Sequence, residues 1–257
     1  MTTGPVLPSS FARVPLAHRA LHDVSDGRPE NSRAAIRAAI DAGYGIEIDV
    51  QLSADDVAMV FHDYHLGRLA EAEGPVRQFD AQDLRQTMLR GGDEGIPDLE
   101  EVLALVDGQV PLLVELKDQD GSMGTNIGAL EHAAARVLAD YRGDVGVMSF
   151  NPNSVAMMQQ LCPNVARGIT TSAYLPEDWP LPEAVCARLR DIPDYDRVGA
   201  SFISHEVDDL DRARVRSLKQ AGAFICCWTV RSTKEEAQAR RIADTITFEG
   251  YSAAIPD

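Results

Sequence analysis

The chain is poor in cysteine. It has four, Cys162, Cys186, Cys226 and Cys227, and no two form a C-x-x-C pair. That excludes the common zinc spacings and leaves no disulfide framework, so buried free thiols are expected. Cys226 and Cys227 are neighbours on an expected strand and should point to opposite faces. Long apolar runs are missing too: nothing approaches the roughly 18 residues of a membrane span. Met1 to Pro15 lacks an apolar stretch long enough for a signal peptide and reads as an irregular leader through residue 13. Positive charge is in short supply, with 24 Lys and Arg against 40 Asp and Glu, a net charge of −16. That argues against a nucleic-acid backbone or an anionic membrane as partner. A small anionic substrate would need a local cation or a metal. A protein of the reducing cytoplasm is expected, its oligomeric state open. Low-complexity segments and fixed-period repeats are also wanting.

What is present is a length of 257 residues with 45% hydrophobic content. That suffices for one large core, and α/β barrels of about 250 residues are routinely one domain. Along the chain, short apolar segments alternate with helical ones. Strands are expected at Val14–Arg19, Gly45–Val50, Val57–His62, Pro111–Lys117, 145–149, 165–170, 199–204, 223–230 and Asp244–Phe248. Helices are expected after Asn31, read as an N-cap, from Asp80 through about Leu89, and from Asp98. Further ones are expected over about 126–141, after Pro152, through Arg190, and over about 208–220 and 232–242. Only Gly45–Val50 and Val57–His62 lack a helix between them, since the six residues that separate them are too few for a crossover. The fold expected is a (β/α)8 TIM barrel over residues 1–257, a single domain, with a β-hairpin extension in the second βα-loop.

That hairpin is the centre of the functional reading. Side chains alternate on a strand, so Glu47 and Asp49 share a face. If the arms pair about Ala54 and Asp55, Glu47 lies opposite His62. Carboxylate oxygens suit hard divalent cations such as Mg²⁺ or Ca²⁺, and an imidazole beside them can move protons near neutral pH. Barrel active sites form at the C-terminal ends of the strands. Those ends carry His18 and Arg19, Glu47 and Asp49, Glu115 and Lys117, and Trp228; His62 returns to the same rim. Glu115 and Lys117, two apart on one strand, could pair with each other or face a metal and a phosphate. His205 ends a strand and is a lesser candidate for the rim. His65 and His132 read as surface residues.

These pieces have a family order. His18-Arg19, Pro29-Glu30-Asn31, Glu47-x-Asp49, His62-Asp63, Ile96-Pro97 before Leu99-Glu100-Glu101-Val102-Leu103, Glu115-x-Lys117, Ser149-Phe150 and Trp228-Thr229-Val230 run through nearly the whole chain. In this the chain resembles the glycerophosphodiester phosphodiesterase family. The resemblance implies a (β/α)8 barrel that hydrolyses small glycerophosphodiesters to glycerol phosphate and an alcohol. It implies that Glu47, Asp49 and Glu115 hold a divalent metal, Mg²⁺ or Ca²⁺, that His18 and His62 are the acid/base pair, and that Arg19 and Lys117 bind phosphate. Trp228 would offer a flat face to the glycerol carbons or pack in the barrel. Departures occur where the family has glycine after His-Arg, here Ala20-Leu21, and in Ser32 for threonine. They recur at Thr247-Phe248-Glu249, where the last strand usually ends Thr-Asp. Alanine makes the first loop less permissive of positive φ, and His22-Asp23 could add or replace contacts there. Two other classes share rim Glu, Asp and His: metal-dependent sugar isomerases and barrels that bind without catalysis.

Overall fold

The computed structural model describes residues 4–256. Its strands, in chain order, are β1 (Leu16–Ala17), β2 (Gly45–Leu52), β3 (Ala58–Val60), β4 (Leu112–Leu116), β5 (Val145–Ser149), β6 (Ala166–Thr171), β7 (Phe202–Glu206), β8 (Phe224–Val230) and β9 (Thr245–Phe248). The helices are α1 (Arg33–Asp41), α2 (Ala81–Gln86), α3 (Leu99–Val106), α4 (Ala129–Leu138), α5 (Pro152–Leu161), α6 (Glu183–Arg190), α7 (Ala213–Gln220) and α8 (Thr233–Ala239). All the strands except β3 pair in parallel, and β9 returns to β1, closing an eight-stranded TIM barrel. β3 lies antiparallel on the C-terminal half of β2. It has room there because the two-residue β1 pairs only with Gly45 and Ile46.

Alternation on each strand separates two environments. Ile46, Ile48 and Val50 of β2 pack outward with Leu112, Val114 and Leu116 of β4 against the helices. The intervening residues point inward. At the N-terminal end of the barrel they are apolar: Leu16, Leu113, Met148, Ala166, Phe202 and Cys226. Leu7 and Phe11 plug that end, and Phe11 sits in a 3₁₀ turn, Ser9–Ala12. The leader expected to be irregular is therefore core, because a closed barrel needs a lid over its apolar floor. Toward the C-terminal ends the inward residues become polar. The four cysteines are free and buried, with Cys226 inside the barrel and Cys227 in the helix-facing core.

Several boundaries differ from expectation, each for a local reason. Residues 53–57 connect the hairpin arms, and the Ser53 N–H donating to the Val57 carbonyl closes a three-residue turn, 54–56, with Asp56 in the left-handed region at φ 59°. Val50 therefore pairs with Val60, one step away from the register that would set Glu47 opposite His62. Ser32, not Asn31, caps α1, accepting from the Ala35 N–H. The helix after Asp80 stops at Gln86, because Met88 and Leu89 are drawn into extended bridges with Gly95 and Ala70. There a small second core, including Phe61, Leu66, Leu84 and Ile96, supports the loop that follows β3. β7 begins at Phe202, where it registers with Phe224, and so ends on Glu206. α7 begins only at Ala213, because Val207–Asp209 form a 3₁₀ turn.

Candidate active site

All eight expected site residues, His18, Arg19, Glu47, Asp49, His62, Glu115, Lys117 and Trp228, line one cavity at the C-terminal ends of the strands. Parallel registry brings Asp49 beside Glu115 on neighbouring strands, with Glu47 two residues back on the same inward face. Ligand oxygens of the three carboxylates lie within 4.8 Å of one another. Both Glu47 and Asp49 are only 2% exposed. Three buried carboxylates this close demand positive charge. Lys117 Nζ supplies some, 2.8 Å from Asp49 Oδ1 and 2.6 Å from Glu115 Oε1. Arg19 Nε is 3.6 Å from Asp49 Oδ2, but its Nη1 is drawn off to Glu30 at 2.8 Å.

The compensation is uneven. Burial acts to raise Asp49, yet Lys117, His62 and Arg19 together hold it well below the usual carboxylate range. Burial and the charges of Asp49 and Glu115 push Glu47 well above that range. Among the described residues, the Glu47 carboxylate accepts one hydrogen bond, from the Arg19 backbone N–H at 3.0 Å. An all-oxygen cluster whose deepest member lacks a cation fits a hard divalent ion.

The backbone around the cluster is bent to serve it. Arg19 and Ala20 have φ of 52° and 64°, and Asn31 has 59°. The left-handed turn expected to suffer from alanine is kept, at about 1–2 kcal/mol per non-glycine residue. It aims the Arg19 and Ala20 N–H groups at Glu47, on Oε2 and on the main-chain oxygen. Asn31 tolerates this conformation better than most residues. Its Nδ2 donates to Asp49 Oδ2 at 3.0 Å while its Oδ1 accepts from the Asp49 N–H at 3.3 Å.

Each histidine has its own carboxylate. His18 Nδ1 is 2.5 Å from Glu249 Oε2, and His62 Nδ1 is 2.7 Å from Asp63 Oδ1. Both acids are in turn held by arginines: Arg231 on Glu249, and Arg68 on both oxygens of Asp63. Arg68 also reaches Glu30, linking this group to Arg19. Burial lowers the His18 pKa, against a smaller opposing pull from Glu249. Across the cavity, Trp228 Nε1 donates to the Ser204 carbonyl at 2.9 Å, and the indole meets Phe150 edge-on at 5.5 Å between centroids. The Ser204 and Thr247 hydroxyls line the same cavity, buried and without a partner among the described residues.

The model of the glycerophosphoryl diester phosphodiesterase family matches residues 18–246. The chain belongs to that family. The glycerophosphodiester phosphodiesterase of Caldanaerobacter subterraneus subsp. tengcongensis is 30% identical over 173 residues, 64% of this chain and 69% of that one. A Bacillus subtilis relative, given the same name provisionally, is 27% identical over 253 residues and covers 94% of both chains. The solved structure of an Oleispira antarctica phosphodiesterase, in complex with the product sn-glycerol-3-phosphate, has a TM-score of 0.74. At 24% identity, over 93% of this chain and 94% of that one, it is a likeness of fold.

In this phosphodiesterase other residues fall elsewhere. His205 is fully buried outside the barrel wall, with Nδ1 2.7 Å from Thr171 Oγ1, because the inward positions of β7 are Ser204 and Glu206. His65 and His132 are exposed. His22 Nε2 stands 3.8 Å from Glu249, and Asp23 turns aside to cap a 3₁₀ turn. The reading by residue type missed Asn31 as a partner of Asp49, taking it for a helix cap. It missed Asp63 and Glu249 as partners of the histidines, though both lie in the quoted motifs. For Glu249 the available signal was its place directly after the last strand.

Proposed function

We propose that this enzyme hydrolyses small, soluble glycerophosphodiesters to glycerol phosphate and an alcohol, using a divalent cation and two histidines. The observation that carries the reading is the single cavity. It joins the clustered carboxylates of Glu47, Asp49 and Glu115, the cationic Arg19 and Lys117, and the imidazoles of His18 and His62, each with Nδ1 held by an acid. Glu47, Asp49 and Glu115 would hold the ion, Mg²⁺ or Ca²⁺. When bound, it supplies charge to offset a non-bridging phosphate oxygen. Arg19 and Lys117 bind the phosphate beside it. Trp228 gives the glycerol carbons a flat wall, and the unpartnered Ser204 and Thr247 hydroxyls suit a polyol.

The protein's own groups define the proton movements. With Nδ1 held, Nε2 is the nitrogen left for substrate in both rings. His18, kept neutral by burial, takes the proton of the glycerol hydroxyl next to the phosphate. That oxygen attacks phosphorus at high effective concentration, and His62 protonates the departing alcohol. Water then opens the cyclic phosphate with the two histidines exchanging roles. The product held by the Oleispira protein agrees with this outcome. Residues 1–257 act as one catalytic unit. The free thiols suit a reducing cytoplasm, and the charge of −16 keeps nucleic acid and anionic membrane away.

The test compares glycerophosphocholine, bis(p-nitrophenyl) phosphate and a long-chain lysophospholipid, with and without a chelator. Glycerophosphocholine should have the highest kcat/KM, and chelation should abolish it. A preference for the lysolipid would defeat the small-substrate reading, and a preference for the nitrophenyl diester would defeat the internal nucleophile. Sugar isomerisation without diester cleavage would replace the reading altogether.

A further inference from the structure

We infer that Glu249, clamped by Arg231, is the positioning residue that sets the His18 ring and its tautomer, so that Nε2 meets the substrate as a proton acceptor. The inference rests on the two-histidine reading and adds to it the group that prepares one histidine.

The backbone makes the contact rigid. β1 and β9 are neighbours in the closed barrel, and the His18 N–H donates to the Phe248 carbonyl at 2.9 Å. One residue on, the Glu249 N–H donates to the Val230 carbonyl of β8 at 3.0 Å. His18 and Glu249 therefore leave the barrel rim at adjacent points, each tied to the sheet at its own N–H. From there Glu249 Oε2 reaches His18 Nδ1 at 2.5 Å. The other oxygen, Oε1, is held by Arg231 Nε at 2.9 Å and Nη2 at 2.8 Å. A two-point guanidinium contact fixes where the carboxylate lies.

Chemistry then selects the tautomer. A carboxylate can only accept, so Nδ1 must carry the hydrogen and Nε2 the lone pair. His18 lines the cavity, while Glu249 is outside its lining. The role assigned to Glu249 is therefore one exerted through the ring. When Nε2 gains a proton, the same carboxylate faces the imidazolium and stabilises it. His22 Nε2, 3.8 Å from Glu249 Oε2, is too far to take its place by a direct hydrogen bond.

Glu249→Ala and Glu249→Gln, compared with the parent and His18→Ala, test this. Long-range ¹H–¹⁵N spectra of the substrate-free, metal-free proteins read the tautomer without any turnover. The parent should show His18 protonated at Nδ1, and Glu249→Ala should show a mixture or the Nε2–H form. On glycerophosphocholine with metal, Glu249→Ala should lose about 10²-fold in kcat with KM within about 2-fold, and Glu249→Gln should lose less. Melting temperatures within a few degrees of the parent exclude a folding defect. An unchanged His18 tautomer in Glu249→Ala, or a parental kcat, would overturn the inference. A fully active His18→Ala would instead overturn the two-histidine reading, and the tautomer measurement would still report on Glu249.

Discussion

Lys117 Nζ lies 2.8 Å from Asp49 Oδ1, across the β2–β4 pairing, and bonds Glu115 Oε1 at the same time. One ammonium thus spans two of three clustered carboxylates and, among the described residues, leaves Glu47 without a charged partner at hydrogen-bond distance. Burial opposes the lysine's charge, but Asp49 and Glu115 outweigh it and raise its pKa. Lys117 stays cationic beside the cluster, where a phosphate would arrive.

The uneven compensation gives a prediction for the metal. Glu47→Gln should bind Mg²⁺ and Ca²⁺ far more weakly in calorimetric titration. Its metal-free form should melt no lower than the parent, because the change removes a buried carboxylate that its neighbours repel. Parental affinity for both ions would remove Glu47 from the ligand set.

His18→Ala and His62→Ala should each lose about 10²-fold or more in rate and keep melting temperatures within a few degrees. Both rings are partly exposed at the cavity, and each partner acid keeps an arginine. A steady-state assay beside a thermal melt decides the matter: a variant with parental turnover takes its histidine out of the mechanism.

Asn31 carries a burden that its sequence context hides. Asn31→Ala removes both buried hydrogen bonds to Asp49 and leaves alanine at φ 59°. The expected loss is about 2–4 kcal/mol in denaturant unfolding. Asn31→Gly loses the same bonds without the steric penalty and should be more stable than the alanine variant by about 1 kcal/mol. Equal stabilities would mean that the backbone at residue 31 relaxes.

His205 predicts a pH dependence of stability. Burial pushes its pKa down from 6.5 to about 4, with Asp209 opposing in part. A folded pKa below the unfolded one means that folding favours the neutral ring. That contribution is complete above about pH 6.5 and is lost as pH falls to about 4, up to about 3 kcal/mol in all. The carboxylates held low, Asp49, Asp63 and Glu249, lose their contributions mainly at still lower pH. Urea unfolding between pH 7 and 4 should show a slope that differs between the parent and His205→Gln by this contribution, since the shifted His18 and Glu47 are common to both. The same slope in both would assign it to other groups.

The alternation of apolar and helical segments determined the barrel, because each strand buries one face against helices and the crossovers are long enough to be helical. It also pointed to eight of the residues that line the cavity. Strand alternation places Glu47, Asp49, Glu115 and Lys117 inward, and a barrel gathers strand ends at one rim. Tertiary structure decided the partners. Asp63 follows His62 directly in the chain, but Glu249 sits beside His18 only once β9 closes on β1. Asn31 looks like a cap until the chain reversal at Arg19 and Ala20 turns its amide to Asp49. The hairpin register depended on one turn residue, Asp56, adopting positive φ. The inward placement of Ser204 and Glu206, with His205 outside, followed from where β7 met β8. Side-chain type and spacing carry the chemistry of one segment, as in His62–Asp63 and Glu115–Lys117; the partners of His18 and Asp49 come from distant segments, and only the folded barrel sets those distances.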